Sequence, residues 1–223
     1  MPMPLLEKFL AANPVIMPVI LFCSVIAVFI IIERLLHLHR AQINVPEFIR
    51  GLNNVLKRNN LVEAIAICDE TPGPVAHVIR AVLVRGSHKE IDMRKAAEEA
   101  SLAEMPRLEK RMKALVTIAN MCPLLGLLGT VFGMMGLFEE MQQVGQFVST
   151  AKMAGYVWSA LVTTAAGLTV GIPAYAFYNL LLGKIESVAG DMDKAANEII
   201  NILTISDLDN DAVNEAPQQT DDI

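Results

Sequence analysis

Charge is missing from two long stretches of this chain: neither Ala114 to Phe138 nor Val157 to Leu182, 25 and 26 residues, contains an Asp, Glu, Lys, Arg or His. A helix crosses a bilayer with ~20 consecutive, mostly apolar residues, so each run is long enough to span with some tilt. Both runs are nonetheless rich in Gly, Thr and Pro. Small residues let helix backbones approach closely, and hydroxyls have no use against hydrocarbon, so the texture points to packed helices around a polar pathway. Cysteine is scarce as well. Three cysteines exclude a disulfide framework, with Cys23 and Cys122 in apolar runs and Cys68 between them. The four histidines form no ligand set, since His37 and His39 at i,i+2 point to different faces and His77 and His88 are isolated. There is no glycine loop before a Lys that could cradle phosphate and no nucleophile–base pairing. An enzyme, a metal site and a cofactor are therefore not expected, and neither is a nucleic-acid partner.

What is present fits a multi-span membrane protein with a modest soluble part: 53% of the residues are hydrophobic and 19% charged, and mean hydropathy is +0.44. A third apolar run, Pro14 to Ile32, has 19 uncharged residues. It exceeds the ~7–15 residues of a signal-peptide core and no small-x-small cleavage site follows, so it is read as a retained span. Fourteen of the 18 Lys and Arg lie between Glu33 and Lys113. Those nearest the spans, Arg34, Arg40, Arg107, Lys110, Arg111 and Lys113, place this region in the cytoplasm. The expected organisation is a periplasmic N-terminus (1–13), spans at 14–32, 114–138 and 157–182, a helical cytoplasmic region (33–113), a periplasmic loop (139–156) and a cytoplasmic helix (183–205). An acidic, unstructured tail (206–223) completes it, with six acids and no base. Tyr156 and Trp158 open the third span as an interfacial aromatic anchor.

The soluble part reads as helical throughout. Val45 to Arg58, Leu61 to Glu70 and Val75 to Arg85 have helical spacing, punctuated at Asn59-Asn60 and Thr71-Pro72-Gly73-Pro74. Ser87 to Glu90 has capping-box spacing and opens a helix expected to continue into the second span, with a kink at Pro106. Downstream, Ile185, Val188, Met192, Ala195, Ile199 and Ile202 recur at steps of three and four, the seam of a helix packed on partners. The predicted fold is an all-α membrane protein with three transmembrane helices, two of them extended into a helical cytoplasmic domain.

Gly126, Gly129, Gly133 and Gly136 fall on one face of the second span, marking a close helix contact within or between subunits. Thr130 shares that side. In the third span Ser159, Thr163, Thr164 and Thr169 add hydroxyls, with Ser159 and Thr163 stacked at i,i+4 and Thr164, Gly167 and Gly171 on a neighbouring face. A threonine in a span commonly bonds back to a carbonyl one turn earlier. Pro123 and Pro173 free the carbonyls of Ala119 and Thr169, which gives water or an ion further contacts. Together these residues are the candidate ion pathway.

The segment from Met121 to Phe138, followed by Ser159 to Ala174 and closing on Tyr178-Asn179, resembles the ExbB/TolQ/MotA proton-channel family, most of all its ExbB branch. The paired motifs PxxGLxGTVxGM and ALxTTAxGLxxGIPAxxxYN carry the likeness over roughly residues 115–182. The resemblance implies a subunit of a pentameric inner-membrane ring around an ExbD-like single-span partner with an intramembrane Asp. Proton flow would be converted to work on a TonB-like protein that energises outer-membrane transport. A TolQ-like envelope motor, a non-conducting scaffold ring and a small stand-alone transporter are the alternatives, and the residues leave open both the driven machine and the choice of proton over sodium. Thr130 and Thr164 correspond to the family's pore-lining threonines. Ser159 stands where ExbB and TolQ sequences usually have Glu, so the spans lack a carboxylate of their own.

Overall fold

The computed structural model describes residues 13–41, 44–58, 60–85, 90–145 and 149–214. Among them lie seven helices and no strand: α1 (Ile16–Ala41), α2 (Val45–Leu56), α3 (Leu61–Glu70), α4 (Pro74–Val84), α5 (Glu90–Leu108), α6 (Met112–Val144) and α7 (Thr150–Asn214). Three of them contain stretches long and apolar enough to cross a membrane, Ile16–Leu36, Met112–Gln143 and Thr150–Ile205. The all-α fold with three such helices is the one expected.

The chain forms two compact units. The first holds α1 up to Leu36 together with Arg111–Leu182. In it α1 turns Ile20, Ala27 and Ile30 inward and exposes Phe22, Val25, Phe29 and Ile32, an outward face that only lipid or another helix would cover. The Cys23 and Cys122 side chains meet between α1 and α6, and Glu33 of α1 pairs with Arg111 at the start of α6. The contacts advance along α1 as they retreat along α6, so the two helices are antiparallel.

The second unit holds His37–Lys110 and the chain from Gly183 on. Consecutive helices pack here, α2 on α3, α3 on α4 and α4 on α5. Their core includes Leu52, Val78, Ile79, Val82 and Met93, each essentially inaccessible; burying a side chain of this size contributes ~1.5–3 kcal/mol. The seam read from the sequence is on the inner side of α7, with Ile185, Val188, Met192, Ala195 and Ile199 buried and Ile202 half-buried. Asn60 caps α3: its side chain accepts from the Glu63 backbone N–H at 3.2 Å and donates to the Glu63 carboxylate at 2.8 Å.

Two expectations about continuity need correction. The helix opening near Ser87 does not run unbroken into the second span. It ends at Leu108, and Arg111 precedes α6 with φ 66°, the one non-glycine residue with positive φ among those described. Pro106 lies inside α5, which continues past it to Leu108, so the break is made by the backbone turn at Arg111 and not by the proline. The left-handed conformation costs ~1–2 kcal/mol, offset in part by the Arg111–Glu33 pair. At the other end α7 continues to Asn214, into the acidic stretch read as a tail. The Ser87 cap and residues 215–223 lie outside the described residues.

Replacing the cap, Asn60→Ala, should lower stability by about 1 kcal/mol, read as a reduced thermal midpoint by circular dichroism in detergent.

Candidate functional site

Helices α6 and α7 meet backbone to backbone. A Cβ placed on Gly126 would lie 3.0 Å from the Thr163 carbonyl oxygen and 3.1 Å from the Thr164 Cα. One on Gly133 would lie 2.8 Å from the Ala160 Cβ, one on Gly136 3.1 Å from the Tyr156 ring, and one on Gly171 2.6 Å from the Pro123 ring. Gly129 faces the Thr163 hydroxyl, and Gly167 faces the Cys122 carbonyl and the Gly126 Cα. Partner numbers fall along α7 as they rise along α6, so this pair too is antiparallel. The glycine stripe is therefore a contact within one subunit, which resolves the alternative left open by spacing alone.

That closeness brings hydroxyls from both helices together. The Thr130 and Thr164 Oγ1 atoms hydrogen-bond to one another. Thr164 also donates across the interface to the Gly126 carbonyl at 3.0 Å, while the back-bond from Thr130 to the same oxygen is long, 3.4 Å. Both threonines are half-buried. Each hydroxyl has one donor and two acceptor lone pairs. With Thr164 donating to Gly126 and Thr130 donating to Thr164, the Thr130 oxygen keeps acceptor capacity for a protonated group or water.

The other predicted pathway residues separate from this pair. Thr163 is completely buried, and its hydroxyl donates to the Ala160 and Ser159 carbonyls at 2.9 and 3.2 Å, under Gly129. Thr169 is exposed and bonds back to Ala165 at 2.7 Å. Ser159, half-buried, is one turn before Thr163 on α7. The Ala119 carbonyl freed by Pro123 sits against Gly171, where a Cβ would be 3.0 Å from it, so it serves the helix contact. Of the aromatic anchor, Trp158 is exposed while Tyr156 packs on Gly136.

Elsewhere among the described residues no reactive centre assembles. His77 pairs with Glu104 at 3.1 Å, and Glu104 also accepts from Arg107 at 2.8 Å. The Cys68 thiol is pushed up to about 11 by burial, with Asp69 adding and Arg80 opposing, so it stays a neutral thiol at physiological pH. Among the described residues no group of three or more His, Cys, Asp or Glu could hold a metal.

Comparison with known proteins bears on this arrangement directly. The model of the MotA/TolQ/ExbB proton channel family matches residues 71–194, more than half of the chain and inclusive of the glycine-packed pair. The chain belongs to that family. The biopolymer transport protein ExbB of Neisseria meningitidis serogroup A is 30% identical over 210 residues, 86% of this chain and 93% of the relative. An ExbB homolog of Methanothermobacter thermautotrophicus is 28% identical over 174 residues, 78% of this chain, of which this chain spans only 60%. The structure of C. jejuni MotAB superposes with a TM-score of 0.57 at 17% identity, over 88% of this chain and 76% of that one, and shares the fold. MotA/TolQ/ExbB proteins are a transport and proton-channel class, not a class of enzymes.

The packing makes a graded prediction. Gly167→Ala presses a methyl onto the Cys122 backbone, which cannot yield, and should abolish folded protein measured by size exclusion in detergent. Gly129→Ala meets the Thr163 side chain down to its Cβ, at 2.6 Å, and should be largely rescued by Thr163→Gly but not by Thr163→Ala, which keeps that Cβ. Gly190→Ala, with nothing within 4 Å, should stabilise by about 0.5–1 kcal/mol.

Proposed function

We propose that the chain is the ring-forming subunit of an inner-membrane motor driven by the proton-motive force. Several copies enclose a small ExbD-like partner with one membrane helix, and the work done energises TonB-dependent outer-membrane transport. The placement of basic residues around the spans supports a periplasmic N-terminus and a cytoplasmic C-terminus. Family membership and the ExbB relatives support the motor role, and the Thr130–Thr164 pair is the observation that carries it to particular atoms.

Proton transfer across hydrocarbon needs a group that changes protonation, and hydroxyls titrate far above neutrality. Neither charge-free run supplies a carboxylate. The acid is therefore the partner's, an Asp on its membrane helix. Thr130 accepts from that acid when it is protonated. When it ionises, the Thr130 hydroxyl turns to donate, and Ser159 and ordered water complete the shell. Thr163 acts beneath them as a spacer under Gly129.

The test is proton influx into vesicles containing the chain and the short single-span protein encoded beside it. Thr130→Ala with Thr164→Ala should reduce influx about ten- to hundredfold, the loss of one or two hydrogen bonds to a charged group, while serine at both positions preserves most of it. Influx unchanged by the alanine pair, with the ring intact by native mass spectrometry, would sink the proposal and leave a scaffold ring. Ser159→Glu should assemble normally and shift the pH dependence of influx.

A further inference from the structure

The inward stripe of α1 ends in a charge. Ile16, Ile20, Ala27 and Ile30 are buried along it, and the next member is Arg34, only 2% exposed. Its Nε has no hydrogen-bond partner among the described residues. The neighbouring carboxylate, Glu33, is engaged by Arg111. The only other acids in this unit's described residues, Glu139 and Glu140, lie 28 or more positions beyond Arg111 along the chain, mostly within α6, about 40 Å away at 1.5 Å per residue.

An arginine does not neutralise itself, and a buried guanidinium without a counter-charge costs several kcal/mol. None of the other described acids of this unit is placed to compensate it. Arg34 closes the apolar stretch Ile16–Leu36, the depth at which lipid headgroups begin. Glu33, Arg34, Arg111 and the exposed Lys113 leave this end of the unit net positive. We propose that Arg34 anchors a binding site for the phosphate of an anionic phospholipid. The guanidinium fork matches two phosphate oxygens, and its flexible stem lets it swing outward to the headgroup as arginines near helix ends do. Lys113 supplies general attraction and Arg34 the site.

The test uses the full chain purified in detergent, stripped of lipid and then supplied with equal amounts of phosphatidylglycerol and phosphatidylcholine. Native mass spectrometry should find phosphatidylglycerol retained by the wild type in preference to phosphatidylcholine. Arg34→Gln should lower that retention about tenfold, equivalent to 1.4 kcal/mol, whereas Lys113→Gln leaves it within about twofold. Equal loss in the two variants would mean diffuse electrostatics and overturn the site, as would no loss in either. Thermal stabilisation of the wild type provides a reading that needs no variant. Phosphatidylglycerol should raise the midpoint more than phosphatidylcholine or inorganic phosphate at equal ionic strength; equal shifts would overturn the proposal.

Discussion

The approach of α6 to α7 at Gly126 and Gly167 sets the geometry of everything the first unit does. A threonine hydroxyl is only two bonds from its Cα, so Thr130 and Thr164 can touch only if their helices are nearly in backbone contact. Thr164 reaches the Gly126 carbonyl at 3.0 Å because no side chain stands between. In lipid there is no hydrophobic force to hold two helices together, since a side chain gains nothing by exchanging hydrocarbon for hydrocarbon. Dispersion between closely fitted surfaces and the cross-helix hydrogen bonds have to suffice. The glycines are thus a cause of the hydroxyl site and not merely neighbours of it.

Further along α7 the same helix uses the opposite physics. Past Leu181 the small residues give way to Ile185, Met192 and Ile199, each no more than 1% exposed. On the expected cytoplasmic placement of 183–205 this is the ordinary hydrophobic effect in water, where large side chains are rewarded for the area they bury. One uninterrupted helix therefore changes its mode of packing from close backbones to bulky knobs within a few turns.

This difference explains what could be read in the sequence. The glycine spacing and the isoleucine seam are periodic signals, and a helix converts period directly into a face, so Gly126 to Gly136 and Ile185 to Ile199 were legible. The separation of Thr130 and Thr164 from Thr163 and Thr169 was not, because it depends on which residue of the facing helix stands opposite. The break at Arg111 was hidden for another reason: no glycine marks it, and its left-handed backbone is held by Glu33, 78 residues away. The Asn60–Glu63 cap could have been found, since Asn followed three residues later by Glu is a visible box. Arg34 could have been found too, by extending the Ile20, Ala27 stripe one more heptad.

Ser159 gives the proposed motor a particular electrostatic character. A glutamate there would place a second titrating carboxyl near the proposed partner's Asp, and two nearby carboxyls resist ionising together, which makes one of them a weaker acid. With serine, this chain would place no second carboxyl beside the proposed partner's Asp. On the proposed reading, burial in the ring would disfavour the ionised form of that Asp, and hydrogen bonds donated by Thr130 and Ser159 would favour it. The two effects oppose each other at one residue, so the balance is set by how many hydroxyls can turn towards it. Thr164, with its hydrogen directed to Gly126, contributes less than its position implies. Thr130, whose carbonyl acceptors on Gly126 and Ala160 are both at 3.4 Å, can redirect its hydrogen at smaller cost. On the proposed reading, Thr130 is therefore the residue whose reorientation follows the proton.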